Sequence, residues 1–476
     1  MKNYLYITIS LLFFSSCKKF VNKDDINPNE PLKATLKTLL PVVEIAVFAT
    51  YTGQVARNAG IFTQHFAGTD QQMVDVGLYQ IVETDVTNDW TTIYNAGIRN
   101  ANELILTATN EKSPYYAGIG RINKALLLGL ATDLWGDVPN RKAGLGVEDL
   151  NPAYDPQQQI INDIQNDLSL AIQELKFTSS ISIPSSDDFI HSGNNENWII
   201  TAWIIKARYA NRLSKRDPIL SANLALQYLD SAYAAGLNSS AQNANAKFSQ
   251  KGNELNSWYA FESQRANYLK LSSKIIDTLK SLDDPRIIVY AKPDDDGSYS
   301  GTPLGETNTN TSSIGDFFSG DPSMHTSALS LPLVSFVEAK FIDAEASLRI
   351  GNKERSEKTF SEAVKSSLNL YINGIPSDST NYYTTKSTAY LLLHGKLVGT
   401  DNGMFSQIMF QKWLALFTQP EIWSDWRRTG YPTLRPNPNA SINEIPRRYP
   451  TEQRERVNNT NAKVVSDILV PVWWDK

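Results

Sequence analysis

Apolar positions recur every three or four residues through much of the first half of the chain. Between residues 85 and 108, Trp90, Ile93, Tyr94, Gly97, Ile98, Ala101, Leu104 and Ile105 fall on one stripe of a helix. The same spacing runs through residues 119–135, through 155–175 with Ile160, Ile164, Leu168 and Ile172, and through 198–213 and 222–235. Each pattern ends at Gly, Asn or Pro, as at Gly136 and Pro139 or at Gly236 and Asn238. The pattern predicts helices of one to two dozen residues joined by loops, an all-α array.

A second helical block follows from about residue 331. Leu333, Phe336, Val337, Phe341, Ala344 and Leu348 form one stripe, Gly351 and Asn352 close it, and Phe360, Ala363, Val364 and Leu368 form the next. A helix-turn-helix unit of about 34 residues matches a degenerate tetratricopeptide repeat, where alanines at the crossing let two helices approach closely.

Between the blocks, residues 236–330 are rich in Asn, Ser, Gly, Asp and Pro, yet carry Trp258, Tyr259, Phe261, Tyr268, Tyr299, Phe317 and Phe318. A disordered linker is depleted in aromatics, so this stretch reads as a long loop-rich binding segment held on a rigid scaffold. Sugar rings offer C–H faces to aromatic planes and hydroxyls to polar side chains, which makes Trp258, Tyr259, Tyr268 and Tyr299 the candidate ligand contacts. For these four, core packing is the competing assignment. Trp90, Trp135, Trp198 and Trp203 lie on helical stripes and are assigned to the core.

The first residues have a separate logic. Lys2, an apolar run from Tyr4 to Phe14, and then Ser15, Ser16 and Cys17 form the anatomy of a signal peptide ending in a lipoprotein box. The run of about eleven residues would span ~16 Å as a helix, too short for a bilayer core of ~30 Å. Residues 1–16 are therefore expected to be removed and Cys17 to carry lipid, with residues 17–34 as a Pro-punctuated tether and residues 35–476 as a single folded domain. Helical blocks are expected at about 36–235 and 331–430.

Composition narrows the chemistry. A chain of 476 residues with 41% hydrophobic content can bury a large core, and 45 basic against 50 acidic residues, without a long basic run, argue against nucleic acid as a partner. Four histidines and one cysteine leave little material for metal or thiol catalysis. No phosphate-binding loop is present, Asp294-Asp295-Asp296-Gly297 reads as a Gly-closed acidic turn rather than a calcium loop, and His65, His191, His325 and His394 form no ligand pair. The sequence thus assigns no catalytic residue, no metal and no cofactor.

Several segments, taken in order, carry a resemblance. They are Asn27-Pro28-Asn29-Glu30-Pro31, Leu134-Trp135-Gly136-Asp137-Val138-Pro139, Asp284-Pro285-Arg286 leading into Gly297-Ser298-Tyr299-Ser300-Gly301, and the run from Glu338 to Ala346. They continue with Gln411-Lys412-Trp413, Trp426-Arg427-Arg428-Thr429-Gly430-Tyr431-Pro432, Ile445-Pro446-Arg447-Arg448 and Val472-Trp473-Trp474. Behind a lipobox, this set resembles the SusD/RagB family. The resemblance implies a non-catalytic nutrient-binding lipoprotein of the outer membrane in Bacteroidetes, facing the cell exterior and working as a lid on a TonB-dependent, SusC-like transporter. Its ligand would be a glycan or, as in some members, a peptide. The rival functions are a secreted glycan hydrolase and a tetratricopeptide-type interaction scaffold. The quoted motifs read as scaffold signatures, and Arg427 and Arg428 are expected in buried ion pairs beside Trp426 rather than on a ligand.

Overall fold

A computed structural model describes residues 34–145, 149–315, 330–372, 375 and 377–476. The lipobox and Cys17, the tether before residue 34, His325, and Phe317 and Phe318 lie outside the described residues. Helices of eight residues or more are labelled here in chain order. The first block contains α1 (Leu36–Thr52), α2 (Gln54–Phe62), α3 (Arg99–Asn110), α4 (Pro114–Trp135), α5 (Gln157–Leu175), α6 (Asn195–Arg212) and α7 (Pro218–Ala234). The periodic stretches of the sequence are thus helices, although the one read at 85–108 is an α-helical turn at Thr87–Thr91, a π-helical stretch at Thr92–Ile98 and then α3.

Helix ends follow local chemistry. Pro114 and Pro218 open α4 and α7, where a missing N–H costs nothing, and Asp217 accepts from Leu220 N at 3.0 Å to cap α7. Antiparallel neighbours pack extensively as α4 on α5 and α6 on α7. Gly129 lies where α4 meets α6: a Cβ there would fall 1.8 Å from Tyr209 Oη, so only glycine lets the buried tyrosine pass.

Residues 236–315 are more regular than their composition predicts. They hold α8 (Ser257–Gln264) and α9 (Ser273–Ser281), and the short strands Ala244–Ala246 and Leu269–Leu271. Strand Leu269–Leu271 pairs antiparallel with Phe66–Gly68, Phe66 opposite Leu271, while Ala244–Ala246 pairs antiparallel with Leu331–Val334. This supposed loop segment is stitched into the scaffold at both ends.

The second block contains α10 (Phe336–Arg349), α11 (Lys353–Asn369), α12 (Ser377–His394), α13 (Asp401–Ala415) and α14 (Glu421–Thr429). The expected repeat unit is α10 and α11. Gly351 adopts φ +80° to end the first, and Asn352 caps the second by accepting from Arg355 N at 3.1 Å. Val337, Phe341, Phe360, Val364 and Ile408 form a second, smaller core beneath this pair.

The C-terminal residues return to the first block. Tyr449 N donates to Leu134 O at 2.8 Å, Tyr449 Oη accepts from Asn58 Nδ2 at 2.8 Å, and Trp135 Nε1 donates to Pro450 O at 2.9 Å. Trp474 is fully buried, and its N–H donates to Gln157 Oε1 of α5 at 3.1 Å.

Candidate functional site

The four aromatic candidates occupy different settings. Asn256 caps α8 by accepting from Trp258 N at 2.9 Å and Tyr259 N at 3.4 Å, which fixes the first turn. Trp258 then points inward: it is 2% exposed and stacks on Phe66 with centroids 5.1 Å apart. The sequence reading of Trp258 as a ligand contact is corrected here, because its position on a capped helix, three residues before Phe261, turns it into the core. Tyr259, about 100° further round the helix, is half-buried. Tyr268 is also half-buried and meets Phe261 edge-on at 6.2 Å. Tyr299 is half-buried on a separate turn, where its carbonyl accepts from Lys280 Nζ at 3.0 Å and its phenol lies near the exposed Tyr382 of α12. Among the described residues, no ring contact joins Tyr299 to Tyr259 or Tyr268. Among the described residues, the ring contacts therefore bring only Tyr268 of the four against Phe261, and join neither Tyr259 nor Tyr299 to it.

The turn at Asp294 to Ser298 has the geometry its sequence implies. Gly297 adopts φ +81°, its N–H donates to Asp294 O at 2.8 Å, and the Asp294 carboxylate accepts from Ser300 Oγ at 2.6 Å and Ser312 Oγ at 2.9 Å. Its oxygens are used in holding the loop together.

A feature that sequence reading missed is a polar groove of about 850 Å³ between α7, α10 and α11, with Tyr233, Phe336, Lys340, Asp343, Arg355 and Glu362 in its wall. Arg355 grips Asp343 at 2.7 Å and Asp230 at 2.7 Å, and Asp343 also accepts from Tyr233 Oη at 3.0 Å. Lys340 reaches Glu362 at 2.8 Å and sits 4.1 Å from the Tyr233 ring centroid. The hydrogen bond to Asp343 raises the Arg355 pKa, and burial beside that carboxylate raises the Tyr233 pKa. Four acidic and four basic residues line the groove, so it offers a balanced polar surface rather than a field for a polyion. Its residues come from three helices more than a hundred positions apart at the extremes, a juxtaposition with no local sequence signal.

The remaining motif residues lock the scaffold. Arg286 pairs with Asp284 at 2.6 Å and reaches Gln411 at 3.2 Å; Lys412 pairs with Asp425 at 2.7 Å, and Arg428 spans Glu345 at 2.8 Å and Asp425 at 2.9 Å. Arg427 donates to the carbonyls of Asp133 and Arg447 at 2.6 and 2.8 Å and lies 4.1 Å over Trp423. Both arginines are buried, as their sequence context implied, although the ring beneath Arg427 is Trp423 and not Trp426. A further chain of charge joins Glu338 to Arg208 at 2.6 Å, Arg208 to Glu421 at 3.6 Å, Glu421 to Arg212 at 2.5 Å and Arg212 to Asp133 at 3.0 Å. Burial pushes the Asp133 carboxyl up to about 6, whereas Glu421 is held below its ordinary value because Arg212 and Arg208 outweigh its burial.

These features define a class: an all-α tetratricopeptide-like scaffold whose quoted motifs are buried braces, carrying an aromatic-bearing segment between two helical blocks. The family model described as SusD-like, starch-binding and associating with the outer membrane, matches residues 28–450, and the chain belongs to this family. It is similar to a SusD/RagB family protein of Bacteroides thetaiotaomicron, with 22% identity over 93% of this chain and 99% of that one at a TM-score of 0.78. A chitin-binding SusD homologue of Flavobacterium johnsoniae shares 20% identity over 93% and 98% of the two chains, with a TM-score of 0.78. A further solved structure, described as a chitin-binding protein, shares 23% identity over 92% and 100% at a TM-score of 0.75. No curated protein matches the chain.

Proposed function

We propose that this chain is a non-catalytic, lipid-anchored binding protein of the outer membrane that captures a glycan at the cell exterior and passes it to a TonB-dependent, SusC-like transporter. The observation that carries this reading is that Tyr259, Tyr268 and Tyr299, at separate places on the aromatic-bearing segment, are each half-buried, with a capped helix under Tyr259 and a lysine bond on the Tyr299 carbonyl. Rigidly held, partly open aromatic faces suit a polar ligand with C–H surfaces. The chitin-binding description of two relatives points the same way.

Calorimetric titration with N-acetylglucosamine and glucose oligomers tests it. Tyr299→Ala is expected to weaken capture by about 1–3 kcal/mol, on the scale of aromatic stacking with nucleobases, with little change in melting temperature. Release of reducing sugar at enzyme-like turnover would make the protein a hydrolase instead.

The balanced groove between α7, α10 and α11 favours a second reading, docking of a polar protein segment. Under it, partner pull-down would occur without any glycan affinity.

Anchoring is proposed to rest on Cys17. Cys17→Ala should yield unacylated protein in the soluble fraction of a strain lacking the transporter, since Cys17 is the one cysteine of the sequence and the acceptor that the lipobox provides. Retention of that variant on the membrane would refute the assignment.

A further inference from the structure

Enclosed arginines of this scaffold have built partners. Arg208 lies on Glu338, Arg212 on Glu421, Arg286 on Asp284 and Arg428 on Glu345, while Arg427 and Arg448 bond main-chain carbonyls. Arg57 of α2 departs from this rule. Its guanidinium carbon lies 4.2 Å over the centroid of Phe261, and its Nε is enclosed without a hydrogen-bond partner. The guanidinium of Arg265, just past the end of α8, lies 5.6 Å from the same centroid. Arg265 is exposed, and its side chain donates only to the adjacent Gln264 amide oxygen at 3.4 Å. Among the described residues, no carboxylate comes within ion-pair distance of either arginine.

The acid whose charge Arg57 feels most is Asp89, beyond ion-pair distance, with Oδ2 also enclosed and unpartnered. Burial pushes the Asp89 carboxyl up to about 7, so near neutral pH it cancels only part of the positive charge beside it. Arg57 is lowered to about 10, by burial first and with Arg265 contributing, and it stays cationic. Two guanidinium groups thus lie close to one aromatic ring with no carboxylate at ion-pair distance among the described residues, although a planar fork is the group best matched to a carboxylate. The half-buried Tyr268 adjoins this spot, edge-on to Phe261.

We infer that Arg57 and Arg265, gathered over Phe261, receive the carboxylate of an acidic sugar, so that the glycan captured here carries uronate residues. The inference rests on the glycan reading of this face and names its substrate class. In it, Phe261 and Tyr268 supply the apolar surround, Arg57 is the fixed half of the clamp, and Arg265 is the half that can adjust.

The test is calorimetric titration of the full chain in detergent with hexamers of galacturonate and of glucuronate, each beside its carboxyl-reduced form, and with N-acetylglucosamine hexamer as a separate arm. At least one acidic hexamer should bind about tenfold or more tighter than its reduced form, the scale of a charge-assisted hydrogen bond. That preference should shrink as salt is raised. Arg265→Ala, on an exposed side chain, should abolish most of the preference without moving the melting temperature. Arg57→Lys, which keeps the charge and loses the fork, should give an intermediate loss. Equal affinity for acidic and reduced forms, absence of binding by both acidic hexamers, or an undiminished preference in Arg265→Ala would overturn the inference. Binding of N-acetylglucosamine hexamer in that case leaves the glycan reading standing, and its absence takes both down. Displacement by an acidic peptide from a protein that ignores both uronates would refute the sugar assignment.

Discussion

Arg212→Ala is expected to lower the unfolding free energy by about 3–5 kcal/mol, the usual cost of removing one member of a buried ion pair. Arg212 is 2% exposed and is shared between Glu421 at 2.5 Å and Asp133 at 3.0 Å. Without it Glu421 keeps Arg208 at 3.6 Å, whereas Asp133 keeps no ion-pair partner, and both of its oxygens already lack aligned hydrogen bonds. The pH dependence gives an independent reading. Asp133 has a folded pKa of about 6, above its unfolded value, so its contribution weakens the fold as pH rises through that window. Loss of Arg212 raises that pKa further, and the variant should lose stability more steeply than the parent between about pH 5 and pH 8. Urea midpoints across that range decide it. Lys353→Ala, which breaks the exposed pair with Asp401, should leave the midpoint nearly unchanged. A loss for Arg212→Ala no larger than for Lys353→Ala would show that the buried chain of charge does not brace the fold.

Trp258→Ala should cost about 3–5 kcal/mol of stability through the cavity it leaves against Phe66. Tyr259→Ala, one position along the same helix and half-buried, should unfold close to the parent. Both variants, compared by thermal melting and by glycan titration, separate the two faces of α8. A Trp258→Ala protein that melts normally yet fails to bind would place the tryptophan on the ligand after all.

These two predictions mark the boundary of what the sequence made legible. Long stretches such as 157–175 and 336–349 were readable because several turns of helix register one period; in 157–175 the stripe residues Ile160, Ile164, Leu168 and Ile172 are buried, whereas 336–349 is buried on every side, charged residues included. Helix α8 has eight residues, too few to register a period, and its cap Asn256 belongs to the same polar composition that reads as loop. The inward turn of Trp258 was therefore hidden. Burial of Arg427 and Arg428 was legible from their setting beside Trp426, but only Arg428 is in an ion pair while Arg427 bonds main-chain carbonyls, and Glu345, more than eighty positions away, was not legible, since partner choice is fixed by how α10 and α14 meet. The Arg57 and Arg265 cluster had no signature for the same reason: its members are joined through Phe261 across two hundred residues.

The return of residues 449–474 to the first helices sets an order of events. Leu134, Trp135, Asn58 and Gln157 each hold a hydrogen bond to a residue between 449 and 474. A polypeptide made and delivered N-terminus first holds its opening helices with an unsealed seam until the closing segment arrives. Docking of residues 449–474 is therefore the step that closes the first block, and until it happens the groups of Leu134, Trp135, Asn58 and Gln157 that face this seam lack those partners.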